Sequence, residues 1–262
     1  MFWVYILVFV VGACVGSFLN VVILRTHDGE SVARGRSKCS TCEMPISPTD
    51  LLPILSYLRL KGRCRSCKSA ISWQYPAVEL ATGLLFVLSY LIVTTQGVEN
   101  LGLLFIAMLL LRYIVFIAYL IILFVYDLRY MLIIDQFTIP AMIFAVIVNL
   151  WLGVVPGGSI LLGGFVLAGF FWLQFFLSKG TWVGGGDIRM GALMGFMLGL
   201  EYGLVALFIA YVLGAIVGIS MMVSGMATRK TPVPFGCFLA VATALVLFVG
   251  EDLLRWYFNL FI

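Results

Sequence analysis

Charge is what this chain has least of. Asp, Glu, Lys and Arg make up 11% of its 262 residues, hydrophobic side chains make up 63%, and mean hydropathy is +1.14. That balance excludes an ordinary soluble globule and reads as a polytopic membrane protein. Basic residues are also missing from the start of the chain. The run from Met1 reaches Asn20 and Arg25 with no basic n-region and no convincing small-residue cleavage site, so it reads as a retained first span and not as a removed signal peptide. Two further absences narrow the function. No internal repeat of the kind common in transporters is visible, and no glycine-rich fingerprint on a strand-helix-strand unit offers a site for a nucleotide-like cofactor.

What is there begins with apolar runs long enough to cross about 30 Å of hydrocarbon. They fall near 2–24, 76–96, 101–125, 132–152, 159–177, 187–200, 203–225 and 233–250, the sixth being short. The expected fold is therefore all-α, with about eight transmembrane helices. Nine of the sixteen Lys and Arg lie between Arg25 and Lys68, so the net charge of +4 reports topology and not nucleic-acid binding. With that segment in the cytoplasm by the positive-inside rule, alternation puts Thr94–Asn100, Gly153–Gly158 and Gly199–Tyr202 outside, all without Lys or Arg. Arg129, Lys179, Arg229 and Lys230 fall inside, and Arg255 in the outer tail is the exception. The organisation expected is a first helix over 1–25, a small cytoplasmic insert over 26–75, and a membrane domain over 76–262.

The insert is too small to bury a large core, and Pro45, Pro48, Pro53 and Gly62 punctuate it with turns. It holds two CxxC pairs, Cys39 with Cys42 and Cys64 with Cys67. This spacing suits two knuckles supplying four thiolates to a structural zinc, which would give the insert the stability its core cannot. Disulfides or a redox pair are the alternative, disfavoured by a cytoplasmic location. Cys14 and Cys237, in apolar surroundings, read as buried packing residues.

Two carboxylates sit at the ends of apolar runs. Asp127 closes the third span, and Asp187 follows Gly184-Gly185-Gly186 at the start of the sixth. The topology drawn from Lys and Arg alone puts both at the cytoplasmic face. Paired, they would share one proton and could activate water for aspartyl proteolysis. The glycines permit positive φ and close backbone approach, so an extended substrate could lie against them. Asp135 reads equally as a helix cap or a functional group, and Arg112, inside the third span, needs a partner or an aqueous cavity. Helix-end fields favour negative charge on Asp187, at a helix N-terminus, over Asp127, at a C-terminus, which would make Asp187 the base and Asp127 the acid.

Taken together, Gly16-Ser-Phe-Leu-Asn-Val-Val-Ile, both CxxC pairs, the segment from Ile71 to Glu79, Asp127 to Asp135, Gly184-Gly-Gly-Asp187 and Pro232-Val-Pro-Phe-Gly236 resemble the bacterial type IV prepilin peptidases, GxGD aspartyl proteases. The resemblance runs almost end to end. It implies an enzyme of the bacterial cytoplasmic (inner) membrane that cleaves a short basic leader from type IV prepilins and type II secretion pseudopilins on the cytoplasmic side. It also implies N-methylation of the new amino terminus with S-adenosylmethionine, although the residues that hold this donor are not identified. The resemblance places the catalytic pair on Asp127 and Asp187, the zinc ligands on Cys39, Cys42, Cys64 and Cys67, and a region linked to the insert and methylation on the segment ending at Glu79. Two positions depart from the pattern: Ile134 stands where proline is common before the second acid, and Arg189 where lysine is usual. A protease without methyl transfer is the second enzyme reading, and a proton-coupled transporter using both aspartates as relay acids is the reading from another class.

Overall fold

The structure, a computed structural model, describes residues 2–95, 102–226, 228 and 231–261. Among these residues the only β-structure is two isolated bridges, Lys38 with Pro45 and Arg63 with Ala70. The helices are α1 Phe2–Asp28, α2 Leu55–Arg59, α3 Gln74–Thr95, α4 Leu103–Tyr130, α5 Asp135–Leu152, α6 Gly157–Ser178, α7 Gly185–Val223 and α8 Phe235–Phe261. All but α2 are long and apolar enough to cross a membrane. Arg229, Lys230 and most of the expected outer segment 94–100 lie outside the described residues. The chain divides into two compact units, Met1–Asn100 and Leu101–Ile262.

In the first unit α1 and α3 pack antiparallel at very short range, because glycines face one another across the seam. A methyl on Gly12 would sit 2.9 Å from the Cα of Gly83, and one on Gly16 would sit 2.8 Å from the Cα of Glu79. Small residues four apart are how membrane helices approach when apolar burial cannot drive them together. Between the two helices the insert has only a 3₁₀ turn, Pro48–Asp50, and the five-residue α2.

The second unit holds α4 to α8, and its organising feature is inside α7. Gly199 takes φ 80, ψ −177, a conformation that side chains exclude. A methyl on Gly203 would lie 3.7 Å from the Cα of Gly195, whereas residues eight apart on a straight helix are separated by about 12 Å. The chain therefore folds back at Gly199, and arms 185–198 and 200–223 lie side by side. The sixth and seventh apolar runs are thus one element bent into a hairpin. Eight traverses come from seven long helices, and the expected outer loop Gly199–Tyr202 shrinks to a single residue.

The hairpin is held at its tip by polar groups from neighbouring helices. Ser159 Oγ accepts the Leu200 amide at 2.9 Å. Arg112, buried in α4, donates from Nε to Asn149 Oδ1 at 2.6 Å and from its guanidinium to the Met197 carbonyl at 3.3 Å. Asn149 Nδ2 donates to the Phe196 and Met197 carbonyls at 2.8 and 3.1 Å. The partners that Arg112 required are thus the Asn149 side chain and the carbonyl end of a helix arm, where a cation is favoured, and no carboxylate pairs with it among the described residues. Its guanidinium also lies over the Phe116 ring, 4.9 Å from the centroid.

Candidate functional site

At the opposite end of the hairpin from Gly199 three helix ends converge. α4 runs past its expected stop to Tyr130, so Asp127 stands in its last turn, where its carbonyl accepts the amide of the left-handed capping residue Met131 at 2.8 Å. Asp187 lies in the first turn of α7. Its Oδ2 accepts the Gly184 amide at 2.8 Å, and its own amide donates to the Gly184 carbonyl at 3.1 Å. α8 opens at Phe235, directly after the Pro232-Val-Pro234 stretch. The Cys237 amide of its first turn donates to Asp127 Oδ2 at 3.1 Å.

Both carboxylates are buried, at 5% exposure for Asp127 and 8% for Asp187. They are near enough for their charges to repel. Ile133, from the α4–α5 connection, packs between the strands of backbone that carry them. A methyl on Gly186 would meet Ile133 Cβ at 2.8 Å, and one on Gly236 would meet both Ile133 Cδ1 and Asp127 Oδ2 at 2.8 Å. Gly186 and Gly236 are therefore required by close approach. The positive φ expected in the 184–186 run is not used: Gly184 is extended at φ −81, ψ 159, and none of the three glycines is left-handed.

Helix electrostatics here differ from the expectation. Asp127 closes α4, but it also accepts an N-terminal amide of α8, just as Asp187 accepts one at the start of α7. Each carboxylate thus receives the positive end of a helix, and these fields do not select which one keeps the proton. Asp135 does not join the pair. It opens α5 and forms an ion pair with Arg189 Nε at 2.8 Å, with both side chains about half exposed. Arg189 also donates to the Ile133 carbonyl at 3.4 Å, so the departure at this position ties the α4–α5 connection to α7 beside the aspartates. The close approach at Gly186 is the one the glycine run leads us to expect, whereas the amide of Cys237 and the contacts of Gly236 and Ile133 with the pair have no mark in the local sequence.

The second cluster lies in the insert. The sulfurs of Cys39, Cys42, Cys64 and Cys67 all lie within 4.8 Å of one another, and those of Cys39 and Cys67 are 3.9 Å apart. A tetrahedral ion with metal–sulfur bonds of about 2.3 Å places its sulfurs about 3.8 Å apart, whereas a disulfide requires about 2 Å. The two pairs are built alike. Glu43 and Lys68, each following the second cysteine of its pair, are left-handed at φ 55 and φ 61. Their amides return to the Cys39 and Cys64 carbonyls at 2.9 and 3.1 Å. Backbone amides of Cys42 and Thr41 push the Cys39 thiol down to about 6, and Ser69 pushes Cys67 down, whereas against the opposing Met44 backbone, burial and the neighbouring thiols push Cys42 up to about 11. Thiolate character is thus uneven across the set, and it is the spacing of the four sulfurs that suits a metal ion. Asp50, with a side chain 4% exposed, pairs at 2.6 Å each with Arg59 and with Arg65, which lies between Cys64 and Cys67 in the chain. Hydrogen bonding from Arg65 holds its carboxyl down at about 2. Glu79, buried in α3, accepts the Ile54 amide at 2.7 Å and so ties the insert to the membrane helix.

Comparison with known proteins agrees with this architecture. Residues 10–93 match the bacterial peptidase A24 N-terminal domain, and residues 114–219 match the type IV leader peptidase family. Proteins called prepilin leader peptidase/N-methyltransferase are similar over nearly the whole chain. The one from Aeromonas salmonicida is 34% identical over 98% of this chain and 95% of its own. The one from Bacillus subtilis is 32% identical over 97% and 98%, and that from Pseudomonas aeruginosa is 30% identical over 94% and 90%. No solved structure gives a significant match. Full-length similarity, two family models in the right order and an integral-membrane helical fold lead to one conclusion: this chain belongs to the type IV leader peptidase family.

Proposed function

We propose that this chain removes the leader from type IV prepilins and type II secretion pseudopilins at the cytoplasmic face of the bacterial inner membrane, and then methylates the new amino terminus with S-adenosylmethionine. The observation that carries the reading is the pair of buried carboxylates, Asp127 and Asp187, brought together at one end of the bundle on three helix termini. Two such groups this close retain one proton between them. The ionised carboxylate takes a proton from water as the water oxygen bonds to the scissile carbonyl carbon. The protonated carboxyl gives its proton to the carbonyl oxygen, producing a neutral tetrahedral intermediate. As this collapses, the C–N bond breaks, the leaving nitrogen takes up the proton that the first carboxylate received, and one hydroxyl returns its proton to the second carboxylate as the product carboxyl forms, which restores the pair.

The functional partition proposed with this reading is a membrane helix at 1–25, a zinc-binding insert at 26–75 and the protease helices at 76–262, with α3 packing on α1 in the first compact unit. Zinc is the metal best suited to four cysteine sulfurs at tetrahedral spacing, and Cys39, Cys42, Cys64 and Cys67 would hold it as a structural ion. The methyl-transfer half rests on the similarity to relatives whose names include that activity. Incubating the purified protein with a synthetic prepilin, with and without S-adenosylmethionine, and weighing the products tests both halves. Leader loss without the donor and a further 14 Da on the mature peptide with it are expected, this being about the mass of one added methylene. An intact prepilin in both reactions overturns the protease reading.

A further inference from the structure

The insert turns its leucines outward. Backbone hydrogen bonds from Ser56 to Leu52, Leu58 to Ile54 and Leu60 to Ser56 wind residues 52–60 into helical turns around α2. Leu55 and Leu58, three apart, share one face of α2, and Leu51 and Leu52 lie on the turn before it, which ends at Ile54 with φ 62; together they form an exposed apolar stripe, 64%, 65%, 43% and 51% exposed. Ser56 is buried on the other side, and Arg59 is engaged by Asp50. A domain surrounded by water would place this stripe inward.

The position of the stripe says what covers it. Ile54, at its centre, is fixed by Glu79 Oε2, five residues into α3 and so roughly 7 Å inside the start of that helix. On the other side Leu51 and Pro53 border a cleft with Ser17, Phe18, Val21 and Cys14 of α1; Cys14 is exposed there and not buried as expected. These α1 residues belong to the uncharged stretch Phe2–Leu24. The leucine turn therefore lies alongside the membrane helices, within their apolar length. Just beyond it Lys61, Arg63 and Lys68 line a concavity next to Cys64. All three are exposed, and none has an ion-pair partner among the described residues.

We propose that the leucine turn 51–58 is a membrane wedge seated in the bilayer at the headgroup–acyl boundary, with Lys61, Arg63 and Lys68 receiving the phosphate of an anionic phospholipid. An apolar stripe followed by unpaired cations is the arrangement that lies in such an interface. The wedge would fix the metal insert against the bilayer surface from which a membrane-anchored substrate arrives. The occupant is lipid and not a protein partner, because the stripe is hung from the flank of α3 at a depth where lipid surrounds that helix.

The test uses the full-length protein with p-benzoylphenylalanine in place of Leu55 or Leu58, both more than half exposed so that folding is preserved, and at Glu43 as a control on the far knuckle. Each variant is placed in nanodiscs of phosphatidylcholine containing phosphatidylglycerol, irradiated, and its adducts are identified by mass spectrometry. Lipid adducts at positions 55 and 58 with none at 43 are expected. Phosphatidylglycerol should be enriched over its mole fraction by roughly five-fold, the ratio equivalent to one surface cation's attraction. Lys61→Gln, Arg63→Gln and Lys68→Gln combined should abolish that enrichment while leaving the adducts. Adding free inorganic phosphate in excess distinguishes a headgroup site from a site for the soluble ion: enrichment that persists supports the lipid. Adducts to protein or water alone at 55 and 58 overturn the wedge, and phosphatidylglycerol at its mole fraction, or displaced by phosphate, overturns the anionic-lipid site.

Discussion

Replacing Gly195 by alanine is the sharpest way to ask whether the hairpin positions the active carboxylates. The added methyl would lie 2.1 Å from the carbonyl carbon of Gly163, 2.2 Å from its oxygen and 2.3 Å from the Gly164 nitrogen. Every obstructing atom is backbone, so no side chain can swing away. Arm 185–198 and α6 must separate by about 1 Å before ordinary contact distances return, and overpacking of this kind costs roughly 1–3 kcal/mol. Asp187 is carried by the same arm, and an error of about 1 Å in a reacting group can lower the rate by about 10²-fold. Gly218→Ala is the control, since a methyl there meets nothing within 4 Å and helix propensity alone favours it by about 0.5–1 kcal/mol. The assay is leader cleavage from a synthetic prepilin by purified protein, alongside its thermal unfolding midpoint. Gly195→Ala should lose both rate and stability while Gly218→Ala keeps both. A Gly195→Ala protein that cleaves and melts like the parent would refute the close α6–α7 packing and the link from hairpin to site.

Asp127→Asn and Asp187→Asn should each abolish cleavage in a folded, inserted protein, whereas Asp135→Asn, which loses only a half-exposed ion pair with Arg189, should stay partly active; turnover measured by mass spectrometry separates the three. Purified protein should carry about one zinc per chain, the stoichiometry of a four-ligand structural site, and replacing Cys39 and Cys64 by serine should remove the metal and harm methylation more than cleavage; elemental analysis checks the first and product masses the second. Asn149→Ala leaves the buried Arg112 Nε without its acceptor and should lower stability by about 1–3 kcal/mol, seen as a fall in the unfolding midpoint. The Asp50 carboxyl falls in the folded protein from an ordinary 3.8 to about 2, so its ion pairs stabilise the insert at neutral pH, and this contribution fades as pH drops from near 4 through 2. The gap in insert stability between wild type and Asp50→Asn, followed by hydrogen exchange of the knuckle amides, should be constant above that window and close within it.

Hydropathy made the traverses legible because lipid imposes a length and a composition on each one. The charge asymmetry of the loops made it possible to expect Asp127 and Asp187 at one end. The four cysteines were equally readable, since metal ligation leaves its spacing in the sequence. What stayed hidden were neighbours that carry no mark in local sequence. The amide that reaches Asp127 comes from Cys237, more than a hundred residues later, and it removes the asymmetry that α4 and α7 alone would have implied. Arg112 is answered by the Asn149 side chain from another helix and by the Met197 carbonyl, a pairing that no local pattern reveals. The Gly199 reversal lay at the expected boundary, but its tightness depends on backbone conformation, and four residues from Gly199 to Tyr202 read as naturally as a loop. Outward leucines on the insert looked like ordinary hydrophobic content until their common face was visible.

The shortness of arm 185–198 has a consequence in the bilayer. At 1.5 Å per residue the arm spans about 21 Å, well under the hydrocarbon thickness of about 30 Å. A tip at one surface leaves the start of the arm some 9 Å short of the other, and Asp187, two residues further in, about 12 Å short. No residue from Met190 to Gly199 is exposed, so neighbouring helices and not lipid surround this arm, and the gap beyond Asp187 is a recess walled by protein. The depth of that recess grows with bilayer thickness, so the enzyme should be a gauge of membrane thickness, working fastest in short-chain bilayers where the carboxylates lie nearest the aqueous face.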